Sequence, residues 1–250
     1  MASNLVALVT GSGKKRVGFT VAQFLARKGY DIALHYNSSA NEAKVNAEEL
    51  QKLGVRAHAF QADLTNADAV RGLIEAVVER FDRLDVLVNC AAIWERKPLE
   101  DVRVEDVKKH FDTNALGTFL CCQHAGLHMV KQSEGGVIIN VGDWAVERPY
   151  LNYAAYFPSK GAVSTITRSM AVELGTRNPQ VRVNGILPGP VMLPEDLPAE
   201  EKQQAIDATL VKREGSPDHI AMAVWALVEN DFITGVLLPV DGGRTIYAPE

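Results

Sequence analysis

Apolar runs and amphipathic stretches alternate along most of this chain. The run LVALVT at residues 5–10 is apolar almost throughout, and a glycine turn joins it to a segment whose apolar residues recur at helical spacing up to Gly29. The run DIALHY and the amphipathic segment NEAKVNAEELQKLG repeat this succession. Short runs that are apolar on both sides are typical of parallel strands, which helices cover on both faces. The pattern therefore predicts an α/β fold.

The alternation continues through the second half of the sequence. We predict further strands in RAHAFQAD, LDVLVNCAA, GGVIINVG, VRVNGILPG and GVLLPVDGG, with helices between them, including a long one from Val104 to Val130. This order predicts a single doubly wound Rossmann-type domain over residues 1–250, with a parallel sheet of about seven strands flanked by helices. The proline-rich segment 188–201 breaks the pattern and is loop-like, and a helix is predicted in EEKQQAIDATL after it; we expect this region, 188–210, to lie beside the substrate.

Composition and charge exclude several classes of partner. The chain has 250 residues and a net charge of −5, which offers no dominant basic face to a nucleic acid. The first residues lack the basic stretch and long apolar core of a signal peptide, and no apolar run approaches the roughly 20 residues of a membrane helix. We therefore expect a cytoplasmic protein with a small-molecule substrate and with neither a nucleic-acid nor a membrane partner.

The three cysteines do not form a recognisable framework. Cys90, Cys121 and Cys122 are odd in number, two of them are adjacent, and their spacing matches no metal site. We expect reduced thiols in the core and no bound metal.

The turn after the first apolar run has the features of a phosphate-binding site. It reads TGSGKKRVG, it follows a predicted strand, and it opens a predicted helix whose first amides can bind an anion. The alternative is a basic turn in solvent. The candidate cofactor residues in this turn are Gly11, Ser12, Lys15, Arg16 and Val17.

The end of the second predicted strand indicates which nicotinamide cofactor is preferred. An acidic residue there would bind the ribose 2′-hydroxyl of NAD and repel the 2′-phosphate of NADP. The chain instead has His35, Tyr36, Asn37 and Ser38, which offer hydrogen-bond donors and no acid. We therefore expect NADPH, with Lys15 supplying positive charge to the phosphate.

Tyr156 and Lys160 are candidates for acid catalysis. They are four residues apart, so they lie on one face of a helix. An ammonium group close to a phenol lowers the phenol's pKa from about 10 and makes it a usable proton donor near neutral pH. Pro158 between them suits only the first turn of a helix, which predicts that the helix begins near Tyr156.

Asp143 bears on the type of bond that is reduced. A carboxylate accepts hydrogen bonds and cannot donate one, so it would repel the oxygen of a carbonyl that gains negative charge. It can instead bind the N–H of a ring amidine or relay a proton to a ring nitrogen. Asp143 therefore favours reduction of C=N over C=O, unless it is a solvated acid at the end of a strand. Burial beside a cofactor would raise its pKa.

Several motifs together resemble the short-chain dehydrogenase/reductase family over essentially the whole chain. They are Thr10-Gly11 with Gly18, ADL at 62–64, NCAA at 89–92, Asn114, Tyr156-x3-Lys160, Pro188-Gly189 and the final DGG. The resemblance implies that Lys160 holds the nicotinamide ribose and that Asn114 supports a water chain to Lys160. It implies a homotetramer formed through the helix from Val104 and the helix of Tyr156. It also adds the cofactor residues Asp63, Leu64, Asn89, Ala91, Val141, Tyr156, Lys160, Pro188, Gly189 and Val191.

Within this family the chain is most similar to the pteridine reductase and dihydromonapterin reductase branch. Arg16 stands where other members have glycine, and Asp143 stands thirteen residues before Tyr156, where other members have serine. The segments LHYNSSANEA and NVGDWAVERPY also resemble this branch, although Ala91 replaces a serine that helps to hold the substrate in some relatives. The resemblance implies NADPH-dependent reduction of a pterin-like C=N bond. The candidate substrate residues are Arg16, Ile93, Trp94, Asp143, Trp144 and Tyr156.

Three other functions fit parts of the same motif set. A carbonyl reductase of 3-oxoacyl compounds or small ketones explains Tyr156, Lys160 and Asn114 but leaves Asp143 unexplained. An enoyl reductase would use Tyr153, which lies seven residues before Lys160. A non-catalytic nucleotide sensor could have the same fold, because fold alone does not establish turnover.

Overall fold

A computed structural model describes residues 4–247, which form one α/β domain around a seven-stranded sheet. All neighbouring strands are parallel, in the order β3-β2-β1-β4-β5-β6-β7. The predicted fold class is confirmed. The strands are β1 (Val6–Thr10), β2 (Asp31–Tyr36), β3 (Ala57–Gln61), β4 (Val86–Asn89), β5 (Gly136–Val141), β6 (Val181–Pro188) and β7 (Leu237–Val240).

Helices cover both faces of the sheet, as the apolar strands require. On β1, Val6 and Leu8 pack toward one helical layer, while Ala7 and Val9 pack toward the other, because successive side chains point to opposite faces. The first layer contains α3, α5 and α6, and the second contains α1, α2 and α8. The helices are α1 (Val17–Arg27), α2 (Ala40–Gln51), α3 (Ala67–Phe81), α4 (Val104–His110), α5 (Gly117–Met129), α6 (Tyr156–Gly175), α7 (Ala199–Asp207) and α8 (Pro217–Glu229).

The strand order reverses at β1, which pairs with β2 on one side and β4 on the other. Such a switch point opens a crevice at the carboxyl ends of the strands, because the loops after β1 and β4 turn away in opposite directions. The hydroxyl of Thr10, the last residue of β1, accepts hydrogen bonds from the backbone N–H groups of Cys90 at 3.0 Å and Ala91 at 3.1 Å. Thr10 thus fixes the path of the chain as it leaves β4.

The long helix predicted from Val104 to Val130 is interrupted in its middle. A π-helical segment, Phe111–Leu116, separates α4 from α5. One wide turn of this kind shifts the side chains that follow it, and such turns are frequent at functional sites. Asn114 lies in this segment and is buried. A periodic apolar pattern cannot locate a single inserted residue, so the sequence predicts an unbroken helix.

The described residues bear on the expected lack of a membrane helix and on the expected state of the cysteines. Within residues 4–247 no helix is long and apolar enough to span a membrane. The three cysteines are free thiols; Cys121 and Cys122 are buried in the core, and Cys90 is partly exposed.

Candidate active site

A cavity of about 1240 Å³ lies along the carboxyl ends of the central strands. It gathers most of the residues that the sequence predicts for the site, although they come from loops far apart in the chain. The predicted residues that line it are Gly11, Arg16, Val17, His35, Asn37, Asp63, Leu64, Ala91, Ile93, Trp94, Val141, Asp143, Trp144, Tyr156, Lys160, Pro188, Gly189 and Val191.

Six other predicted residues do not line the cavity, namely Ser12, Lys15, Tyr36, Ser38, Asn89 and Asn114. The Ser12 hydroxyl donates to the carbonyl of Val9 at 2.7 Å. The Lys15 ammonium forms an ion pair with Glu49 at 2.5 Å, so the charge expected beside a 2′-phosphate is already paired. Asn89 donates to Asn140 at 2.9 Å inside the core. These side chains hold the frame of the site, and their contacts with a cofactor remain predictions.

The glycine turn forms a cradle at the start of α1. Gly11 has a φ of +65°, and a Cβ on it would lie 2.8 Å from the Cα of Ala91, so no other residue fits without a shift of the backbone. Helix α1 begins at Val17 with no side-chain cap and with no acid in its first turn. Its first N–H groups therefore lack a capping side chain at the wall of the cavity, as a pyrophosphate site requires. The cradle therefore fits a dinucleotide, and the assignment of Gly11, Arg16 and Val17 to its binding remains a prediction.

The buried side chain of His35 fixes this cradle through hydrogen bonds. Its ring is 2% exposed, Nδ1 accepts from the N–H of Gly11 at 3.1 Å, and Nε2 lies 3.1 Å from the carbonyl oxygen of Ala62. These partners identify a neutral ring with its proton on Nε2. Burial lowers the pKa of His35 to about 4. His35 therefore acts first as a structural residue that fixes the turn.

Tyr156 and Asp143 are joined at the floor of the cavity. Helix α6 begins at Tyr156, as Pro158 in its first turn predicts. The Tyr156 hydroxyl donates to Oδ2 of Asp143 at 2.7 Å, and Oδ1 of Asp143 accepts from the N–H of Ala145 at 2.8 Å. Asp143 follows β5, so the pairing depends on the meeting of a strand end with a helix start.

The electrostatics of this pair differ from the expected ones. Burial, followed by the charge and hydrogen bond of Asp143, raises the pKa of Tyr156 well above its usual value. The ammonium of Lys160 donates to the carbonyl of Val141 at 2.7 Å, and burial lowers its pKa. The lowered pKa expected for Tyr156 is therefore not found, because burial and the neighbouring carboxylate both raise it. The pKa of Asp143 is raised by burial, as expected, against the opposing effect of its hydrogen bonds.

Asn114 braces the floor of the cavity from behind. Its Nδ2 donates to the carbonyl of Ile93 and to the hydroxyl of Ser159, each at 3.0 Å, and its Oδ1 accepts from the N–H of Ile93 at 2.8 Å. Ser159 in turn donates to the carbonyl of Tyr156 at 2.6 Å. Within residues 4–247 the side chain of Asn114 has no hydrogen bond to Lys160. The wide π turn thus positions the loop of Ile93 and the start of α6.

Aromatic side chains form one wall of the cavity. Trp94 stacks on Tyr153 with ring centres 4.9 Å apart and an angle of 10°. Trp144 is 9% exposed, and Tyr150 lies 6.3 Å from it at 28°. Trp94 is 41% exposed and thus the more accessible of the two tryptophans, whereas Trp144 is largely covered. The i, i+4 spacing that selects Tyr156 passes over Tyr150 and Tyr153, which serve as wall residues here.

The segment after β6 forms the opposite wall. Residues of the predicted loop region 188–210, from Pro188 to Ala205, line the cavity, and α7 lies within this region. Arg96 reaches across to Glu201 on α7 at 3.5 Å. Arg244, which follows β7, also lines the cavity. No periodicity or motif used above marks Arg96, Glu201 or Arg244 as site residues, because only the fold brings them here.

Comparisons with known proteins agree with this geometry. A family model described as enoyl-(acyl carrier protein) reductase matches residues 12–245. An uncharacterised oxidoreductase of Methylorubrum extorquens is 36% identical over 245 residues, covering 95% of this chain and 96% of that protein. The 3-oxoacyl-[acyl-carrier-protein] reductase of Staphylococcus aureus is 35% identical over 243 residues, covering 95% and 96%. The chain belongs to the short-chain dehydrogenase/reductase family.

A solved structure supports the same conclusion. The crystal structure of acetoin dehydrogenase from Enterobacter cloacae superposes with a TM-score of 0.89 at 34% identity, covering 100% of this chain and 99% of that one. The chain is therefore an oxidoreductase of the short-chain dehydrogenase/reductase family that uses a nicotinamide cofactor. These relatives are named for acetoin or for 3-oxoacyl groups and not for pterins, so the resemblance to the pteridine branch remains a prediction.

The burial of His35 predicts a pH-dependent loss of stability. Its folded pKa of about 4 lies below the ordinary value of 6.5, so the unfolded state binds more protons between these values. Stability is therefore retained above pH 6.5 and is lost as the pH falls toward 4, by about 3 kcal/mol from this residue. Urea unfolding at several pH values should show a smaller loss in His35→Gln than in wild type. The same change at the exposed His58 should leave the loss unchanged; equal losses in wild type and His35→Gln would contradict the prediction.

Proposed function

We propose that the chain is an NADPH-dependent reductase of a carbonyl group in a small ketone or 3-oxoacyl compound. The observation that best supports this function is the buried Tyr156 hydroxyl at the floor of the cavity, next to Lys160 on the same helix face. The printed names of the relatives, acetoin dehydrogenase and 3-oxoacyl reductase, favour the same bond type. Asp143 is the residue that argues against a carbonyl substrate.

The proposed reaction adds one hydride and one proton to the carbonyl. The glycine cradle and Lys160 would hold the nicotinamide cofactor, which when bound would supply the hydride for the carbonyl carbon. Tyr156 donates its hydroxyl proton to the carbonyl oxygen, which becomes the alcohol. A proton from solvent then restores the phenol of Tyr156, while Asp143, whose Oδ2 lies 2.7 Å from the hydroxyl oxygen, holds the hydroxyl in place. The aromatic wall and the 188–205 wall line the cavity around these groups.

The protonation of Asp143 decides whether this chemistry is favourable. A carboxylate about 4 Å from a developing oxyanion costs on the order of 4 kcal/mol at an effective dielectric of about 20. A protonated Asp143 is instead a donor, and it takes the place of the serine that other family members have at this position. Burial favours this neutral form, since it raises the pKa of Asp143. Asp143 is therefore compatible with a carbonyl substrate when it holds a proton.

Reduction of a C=N bond in a pterin-like heterocycle is the second candidate function. Asp143 favours it, because an ionised carboxylate accepts the N–H of a ring amidine and Tyr156 relays a proton to the ring nitrogen. Trp94, which is 41% exposed, offers a face on which such a ring can stack.

The preference for NADPH is proposed from the end of β2. In the cavity this end contributes His35 and Asn37, and neither is an acid. A ribose 2′-phosphate would therefore meet no fixed negative charge from β2. Arg16, which lines the same cavity, is the nearest candidate in the turn for its countercharge once Lys15 is paired with Glu49.

We also propose a cytoplasmic homotetramer. Along α4, the π segment and α5, the apolar side chains of Val107, Phe111 and Phe119 are exposed, which is typical of a surface that another subunit covers. The free thiols are consistent with a reducing compartment.

The proposed function is tested by a substrate panel. We expect oxidation of NADPH with acetoacetyl thioester or diacetyl, and a lower KM for NADPH than for NADH, because no acid faces the 2′-phosphate. Absorbance at the nicotinamide band reports turnover. Turnover only with dihydrobiopterin or dihydrofolate would favour the second candidate function. Turnover only with an enoyl thioester would indicate an enoyl reductase. No turnover with any of these compounds would contradict both candidate functions.

The assignment of the proton donor is tested by Tyr156→Phe. The substitution removes the acidic proton without changing the packing, so kcat should fall by roughly 10²- to 10⁴-fold. Binding of NADPH, followed by its fluorescence, should remain. Tyr153→Phe is the matched control, since Tyr153 lines the same cavity, and it should change kcat by less than about threefold. A large loss in Tyr153→Phe alone would transfer the role to that residue.

Asp143→Ser separates the two candidate functions. With a ketone, wild-type kcat/KM should fall as the pH rises through the raised pKa of Asp143, because the carboxyl loses the proton that it donates. Asp143→Ser keeps a donor at every pH, so this part of the fall should vanish while activity at low pH stays within about tenfold. With a dihydropterin, the same variant should instead lose about 100-fold. An unchanged alkaline fall with the ketone would contradict the role of a protonated Asp143.

A further inference from the structure

The substrate side of the cavity contains a cation that the proposed chemistry does not use. Arg244 follows β7, is half-buried, and lines the cavity. Its guanidinium carbon lies 4.9 Å from the centre of the ring of Trp144, the residue that follows Asp143 in the sequence. Tyr150 also lines the cavity. Burial and the charge of Asp143 raise its pKa, and the charge of Arg244 lowers it. Arg244 thus lies in the wall beside the reacting groups.

No acid neutralises Arg244 within residues 4–247. Its guanidinium donates there to the carbonyl of Ala208, at 3.2 Å, and forms no salt bridge. Two other cations of the cavity are paired, Arg96 with Glu201 and Lys109 with Glu95. Burial and the nearby Arg148 lower the pKa of Arg244, although a guanidinium remains protonated in proteins.

The segment that presents Arg244 is held firmly in place. Arg148 donates to the carbonyl of Arg244 at 3.1 Å and to that of Tyr247. Asp241 accepts from the N–H of Gly243 at 2.9 Å and from the N–H and hydroxyl of Thr245, each at 2.6 Å. The guanidinium also stacks on Trp144, which limits its rotamers. The charge is therefore preorganised.

The position of Arg244 in the fold assigns it to the substrate. The cradle for the dinucleotide lies at β1 and β2, whereas Arg244 follows β7 at the far edge of the sheet. Between them lie β4, β5 and β6, with Asp143 following β5. A negative group that reaches Arg244 must therefore extend from the reacting carbon away from the cofactor's adenosine end.

We propose that Arg244 binds a carboxylate of the substrate, so that the substrate is a carbonyl compound, or a cyclic imine, that carries one negative group. This inference rests on the proposed function for the identity of the reacting bond. The planar guanidinium matches a carboxylate through two parallel hydrogen bonds. A carboxylate suits the site better than a phosphate, because Arg148 is committed to backbone carbonyls and Arg244 is the one cation of this wall that no acid pairs within residues 4–247.

The test compares, without turnover, acidic and neutral compounds that share the same reacting group. Calorimetry in the presence of NADP⁺ measures binding of acetoacetate against ethyl acetoacetate, and of dihydrofolate against dihydrobiopterin. For at least one pair, wild type should bind the acid at least about tenfold more tightly, and added salt should reduce this preference. Arg244→Gln should abolish it, and Arg244→Lys should keep part of it. Arg71→Gln, which removes the same charge from exposed α3, should leave it unchanged.

The outcomes separate this inference from the proposed function. An equal preference in wild type and Arg244→Gln, or no preference for the acid in either pair, would overturn the role of Arg244 whether or not NADPH is oxidised. A preference that depends on Arg244 would support it even if no carbonyl in the panel is reduced. Thermal unfolding shows whether Arg244→Gln folds. If it does not fold, the inference is tested by whether Arg244→Lys keeps part of the preference for the acid and by whether added salt reduces that preference in wild type.

Discussion

The parallel orientation of all seven strands is the constraint on which the site depends. Because every strand ends at the same edge, the loops that follow them converge there although they are far apart in sequence. Gly11 after β1, Ala91 after β4, Asp143 after β5 and Gly189 after β6 all meet one cavity in this way. The covering helices contribute mainly through the ends that face this edge, as α1 does with its uncapped first turn and α6 does with Tyr156.

Sequence patterns predicted the fold well because they report the same constraint. Strands that are apolar on both faces can only lie in a sheet covered on both sides, and short turns between alternating elements leave few possible orders. Tyr156 and Lys160 are predicted together because a helix converts a spacing of four into a shared face. The order of the motifs added Asp143 and Asn114, which no periodicity marks.

What the sequence could not predict depends on which partner a side chain chooses in three dimensions. Lys15 was expected beside a phosphate but pairs with Glu49, and Lys160 was expected to act on Tyr156 but donates to a backbone carbonyl. The π turn around Asn114 needs only one extra residue per turn, which leaves the apolar pattern almost unchanged. Arg244 lies near the end of the chain with no motif residue linking it to the site, and only the strand order brings it to the cavity.

The two proposals about charge support each other. Tyr156 and Lys160 are buried and Asp143 is partly buried, so their protons respond strongly to any charge that enters the cavity. A carboxylate bound at Arg244, beside Trp144, adds a negative charge near Asp143 and disfavours the ionised form of that residue. This raises the pKa of Asp143 further and increases the share of the protonated carboxyl that carbonyl reduction requires. A neutral substrate gives no such effect, so an anionic group would contribute both to binding and to the protonation state of the site.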